Sequence, residues 1–191
     1  MNISIVISSI VGGILIIAIA TLSFRMSESS GNNTLYNMSK SRMDVIAEMV
    51  TYDIRNLGYR ADDINCPAIV SADIHELTFC ADIDNDGFTN RVTWRYDTTA
   101  EVESTPNPND RMLIREVLME DGPDEIAISL VVTKFEFTYF NVDNDTINPA
   151  TELNQLSRIR LSIQTESEFS YGDKYARSAW ERTFTPRNLN L

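Results

Sequence analysis

No charged side chain occurs between Met1 and Phe24. The run Ile3–Phe24, ISIVISSIVGGILIIAIATLSF, is dense in Ile, Val and Leu. A helix rises about 1.5 Å per residue, so a run of roughly 22 residues reaches about 33 Å, the thickness of one bilayer core. In hydrocarbon a helix satisfies its own backbone hydrogen bonds, so the run reads as a membrane-spanning helix. The rival reading is a cleaved secretory signal. That needs a basic start, a shorter apolar core and a small-residue cleavage site. The first basic residue here is Arg25 and the run is long, which favours the span.

Within the run, Ser4, Ser8 and Gly12 are spaced by four, and so are Ser9 and Gly13. Small residues at that spacing let another helix approach closely. Ser and Gly also occur in membrane helices that pack against nothing, so both readings stand.

Removing the span leaves enough chain for one domain. Of the 191 residues, 43% are hydrophobic, enough for a globular core. The net charge of −12 lies almost wholly beyond Phe24, which argues against nucleic acid and against docking on anionic lipid. The single histidine, His75, stands beside Glu76 and is assigned no role. One histidine leaves no multi-histidine metal site available from this chain alone. G-x-S-x-G, a phosphate-binding glycine loop and H-E-x-x-H are all absent, so the expectation is a chain that is not an enzyme.

After Phe24 the polar stretch RMSESSGNNT has weak helix propensity. Beyond it Leu35, Met38, Ile46, Met49, Val50, Ile54 and Leu57 recur at helical spacing, and Gly58 supplies a stop. We expect one helix from about residue 2 to 57, loosened near residues 28–33. Residues 1–24 form its membrane half and residues 25–57 its amphipathic continuation. Strand patterns follow at Glu76–Cys80, Arg91–Tyr96, Arg111–Leu118, Val131–Phe140, Ser157–Thr165 and Ala179–Thr185. Polar loops are expected over Thr98–Asp110 and Asn141–Gln155. The fold class is α+β: a long N-terminal helix packed on an antiparallel β-sheet domain over residues 58–191.

Cys66 and Cys80 are an even pair around a short loop. In an exported chain they are expected to form a disulfide, and closing such a loop is worth about 3 kcal/mol. Two buried free thiols are the alternative. A zinc site lacks further partners. Orientation carries a tension. Positive-inside counting places the side of Arg25, Lys40 and Arg42 in the cytoplasm, whereas the cysteine pair and the acidic domain point outside. Removal of a basic leader before Met1 would reconcile them.

Asp82, Asp84 and Asp86, followed by Gly87, match the start of a calcium loop, D-x-D-x-D-G. Alternate carboxylates can converge on one cation while glycine permits the sharp turn. The twelfth position is Thr93, not the bidentate Glu of an EF-hand. A solvated hairpin turn explains the same residues. Asp143 and Asp145 form a weaker echo in a second loop. No cofactor is required on this reading, and calcium is the one candidate.

Taken in order, these stretches resemble a family. A charge-free helix runs into an amphipathic one ending DIRNLGYR (Asp53–Arg60), then come the DIDNDG turn, a strand ending at Tyr96, KFEFTYF (Lys134–Phe140), RIRLSI (Arg158–Ile163) and FTPRNL (Phe184–Leu189). The layout is similar to the W-type minor pilins of type IV pili and the J-type minor pseudopilins of type II secretion. The resemblance implies a non-enzymatic structural subunit. Its helix would join other pilin-like subunits, first in the inner membrane and then in a filament at the periplasm or cell surface. Pilins usually carry Glu at the fifth mature position, and Ile5 stands there if Met1 is the first mature residue. Loss of that Glu is tolerated in some tip subunits. The alternative reading is a single-pass anchor for an accessory or ligand-binding domain of another envelope complex.

Overall fold

The computed structural model describes residues 3–61, 65–119, 125–171 and 173–189. Helix α1 runs unbroken over Ile3–Asn56, 54 residues, a rod of about 80 Å. The loosening expected near residues 28–33 does not occur. Gly31 costs a helix only about 1 kcal/mol, little against a helix already nucleated on both sides. The Thr34 hydroxyl also donates back to the Ser30 carbonyl at 3.0 Å. The helix stops where expected. Gly58 has φ +77, and its N–H donates to the Cys80 carbonyl at 2.9 Å. A Cβ at Gly58 would stand 2.3 Å from the carbonyl oxygen of Asn188, so the position needs glycine for space as well as for φ.

Eight strands follow: β1 (Ile69–Ala72), β2 (Glu76–Ala81), β3 (Asn90–Glu101), β4 (Arg111–Leu118), β5 (Glu125–Val132), β6 (Lys134–Phe140), β7 (Arg158–Tyr171) and β8 (Lys174–Phe184). They form two antiparallel sheets, ordered β1-β2-β3-β4-β5 and β6-β7-β8. A short helix, α2 (Pro149–Glu152), lies in the loop before β7.

The α+β class is as expected, but one expected strand is divided. The run Val131–Phe140 leaves one sheet at Val132 and enters the other at Lys134. Thr133 is the pivot. Its N–H donates to the Gln164 carbonyl in β7 at 2.9 Å, while its carbonyl accepts from the Tyr96 hydroxyl in β3 at 3.0 Å. Each backbone group therefore faces a different sheet.

Both sheets share one core with α1. Met43, Ile46, Val50 and Ile54 are buried on the helix, and α1 lies against β7 and β8. Alternation places Val92, Trp94 and Tyr96 of β3 inward, and Phe135, Phe137 and Tyr139 of β6 likewise. Trp94 stacks on Phe135 with ring centroids 5.9 Å apart, and Phe135 meets Phe137 edge-on at 5.1 Å. Those rings join the two sheets.

Candidate functional site

The first half of α1 stands clear of its own domain. Among the described residues it is the one helix long and apolar enough to cross a membrane, and none of its most apolar window is buried. Ile10, Leu15 and Ile16 lie about 100–140° from one another around the helix axis, and each is more than half exposed. A helix apolar all round needs lipid or other helices as its surroundings. Two of its hydroxyls are satisfied internally: Ser9 donates to the Val6 carbonyl at 2.9 Å and Thr21 to the Ile17 carbonyl at 2.7 Å. Nothing lies within 4 Å of a Cβ built at Gly12 or Gly13, and Ser8 and Ser9 are exposed. The Ser4 side chain lies outside the described residues.

The exposed half ends at Ser39, where the helix meets the sheets. Ser39 and Thr165 of β7 exchange bonds: the Ser39 hydroxyl donates to the Thr165 carbonyl at 3.1 Å, and the Thr165 hydroxyl to the Ser39 carbonyl at 3.0 Å. Arg42 pairs with Glu168 one turn on. Farther along, the buried Asp53 takes both Arg115 Nε at 2.7 Å and Arg115 Nη2 at 2.8 Å, and also accepts from Trp94 Nε1 at 2.8 Å. These residues fix the helix to both sheets and were not singled out from the sequence. The one signal was Asp53 itself, a carboxylate at helical spacing within the stripe Ile46, Val50, Ile54 and Leu57. A charge on that face needs a buried partner.

Beside this junction Asn107 donates to Glu166 at 3.2 Å and to the Ser167 carbonyl at 3.1 Å. Burial pushes the Glu166 carboxyl up, but bonds from Asn109, Arg177 and Asn107 outweigh it and hold the group below the usual range. Asp110 is different. It is fully buried, and neither oxygen receives a hydrogen bond of good geometry from a described group. Burial pushes its pKa up, the Thr105 side chain and the Arg42 charge oppose that, and the like charges of Glu166 and Glu168 add to it. A carboxyl whose folded pKa exceeds its unfolded one favours the protonated folded state. Stability therefore falls as pH rises from the unfolded value, about 3.9, through the raised folded one. Asp110→Asn should raise the Tm at pH 7 by about 2–4 °C, from on the order of 1 kcal/mol of relieved charge burial, and leave it unchanged at pH 3. Thermal unfolding at the two pH values checks this, and no gain at pH 7 would show that the carboxylate is compensated.

The acidic turn joins β2 to β3 next to the end of α1. One carboxylate oxygen from each of Asp82, Asp84 and Asp86 lies within 4.8 Å of the others. Asp84 and Asp86 are exposed, whereas Asp82 is buried. Arg60 Nη1 donates to Asp82 Oδ2 at 2.7 Å, and the Gly87 N–H donates to the same oxygen at 3.1 Å. Burial pushes the Asp82 carboxyl up, and these donors, with the Asn85 backbone N–H, more than offset it, so it sits below the usual range. The second acidic pair, Asp143 and Asp145, joins no such cluster among the described residues.

Cys66 and Cys80 are disulfide-bonded. His75 is structural: its Nδ1 lies 3.1 Å from the Phe135 carbonyl, and its ring meets Tyr96 edge-on. It links the β1–β2 turn to β6. The structure thus defines an α+β chain with a membrane-type helix locked onto a two-sheet domain. Comparison with known protein families, curated proteins and solved structures returns no match.

Proposed function

We propose that this chain is a pilin-like structural subunit, closest in layout to W-type minor pilins and J-type minor pseudopilins. It assembles through α1 into a cell-surface filament or secretion pseudopilus, with the sheet domain outside the cytoplasm. The observation that carries the reading is the continuity of α1 through residues 25–45. A filament subunit needs a rigid rod between its packing half and its domain, and a tethered domain does not. The bonds of Ser39, Arg42 and Asp53 add support, because they would transmit load from the rod to both sheets. On this reading the chain acts by packing and not by catalysis. A membrane-anchored accessory domain is the competing function, and it predicts that any apolar helix would serve.

Gly12→Ile and Ser8→Leu separate the two. Both keep the helix apolar, and neither position touches the sheet domain, so insertion and folding survive. Added methylenes hold helix axes apart and remove close contacts. Recovery in sheared filaments or detergent-stable complexes, relative to the level in membranes, should fall about tenfold, equivalent to ~1.4 kcal/mol of association. Wild-type recovery of both variants would favour the tether.

A further inference from the structure

We infer that Asp82, Asp84 and Asp86 form a binding site for one calcium ion, with Arg60 as a built-in second cation paired with Asp82. The convergence of three carboxylates is only the starting point. The second observation is an orphaned atom. Asp82 is 2% exposed, and its Oδ2 is taken by Arg60 and Gly87. Its Oδ1 is buried and receives no hydrogen bond of good geometry from a described group. A buried charged acceptor without a donor is costly, and a cation held with Asp84 and Asp86 removes that cost.

Charge sets the valence. Arg60 neutralises one of three carboxylates, leaving two negative charges, the complement of one divalent ion. Donor chemistry sets the metal. The ligands are all carboxylate oxygens, which suits calcium or magnesium and not softer metals. Asp84 and Asp86 are solvent-exposed, so water can complete an irregular shell, which calcium tolerates and magnesium does not. The turn is also fastened at its base. The Asp82 N–H donates to the Tyr59 carbonyl at 2.9 Å, and the Tyr52 hydroxyl to the Ile83 carbonyl at 2.6 Å. An ion there would tie the end of α1 to the β2–β3 turn. Without a bidentate Glu the affinity belongs to the weak extracellular class, a Kd of about 10⁻⁴ to 10⁻³ M.

The test uses the full chain in detergent micelles after chelator treatment, with unfolding followed by tryptophan fluorescence. Calcium at about 10 mM should raise the Tm by roughly 3–5 °C, and magnesium at the same concentration by much less. Asp84 is exposed and makes no hydrogen bond among the described residues, so Asp84→Asn folds normally. It should weaken calcium binding about tenfold and cut the shift to ~1 °C. No calcium shift in the wild type would overturn the site. An equal shift with magnesium, undiminished in Asp84→Asn, would also overturn it, because diffuse screening of the −12 net charge would then explain the effect. Neither failure bears on filament assembly, which depends on α1.

Discussion

Asp53→Ala should lower the Tm of the chain by about 6–20 °C, from a loss of roughly 3–5 kcal/mol. Asp53 is fully buried, and the Arg115 side chain facing it is only 11% exposed. Truncating the acid strands that guanidinium in a dry site and also leaves the Trp94 N–H without its acceptor. The pair itself is worth less than the loss suggests. Two buried ions give up much hydration, and a well-packed apolar replacement often matches them. Asp53→Leu with Arg115→Met should therefore recover part of the stability, the Trp94 N–H still lacking its acceptor, and the double-mutant cycle isolates the coupling. An Asp53→Ala loss below about 1 kcal/mol would mean that water enters the junction and solvates Arg115. The consequence for function is specific. Loss of this bond frees the base of α1 from β3 and β4 while the membrane half is untouched, so insertion should persist as assembly declines.

Cys66→Ser with Cys80→Ser should cost about 3 kcal/mol and lower the Tm by roughly 6–12 °C. The two cysteines are 14 positions apart, so the bond closes a short loop and removes chain entropy from the unfolded state. The bond also lies in a dense place. The Cys80 carbonyl takes the Gly58 N–H that ends α1, and the Cys80 N–H donates to the Ala68 carbonyl at 3.3 Å. Helix end, loop and β2 are thus fastened together. Peptide mapping without reductant should recover Cys66 linked to Cys80. Two thiols open to alkylation in the native protein would remove the bond and, with it, the support it lends to an oxidising location.

The sequence by itself determined a good deal. A charge-free run of one bilayer's length dictates a helix there, because only a helix satisfies its own backbone in lipid. The spacing of Ile46, Val50, Ile54 and Leu57 dictates its continuation with one buried face, and Gly58 its end. Inward alternation of Phe135, Phe137 and Tyr139, and of Ile159, Leu161 and Ile163, dictates strands facing a common core. Such patterns are legible because burial imposes a local period of 3.6 or 2 on the side chains.

Tertiary structure decided the rest. Alternation through Val131–Phe140 says that each strand has an inner face, but not that the chain changes sheets at Thr133. That choice depends on Gln164 and Tyr96, both more than 30 residues away along the chain. β1 escaped notice because four residues are too few to show a period. The polar stretch 25–34 reads as a break by propensity, yet it stays helical because the helices on both sides hold it in register. At the acidic turn the three aspartates were legible. The burial of Asp82, the guanidinium on one of its oxygens and the orphaned state of the other were not. Asp53 stood in plain view within an apolar stripe, and only folding revealed its partners, Arg115 and Trp94. Periodicity records that a residue is buried; which groups meet it there is a long-range property that no local pattern carries.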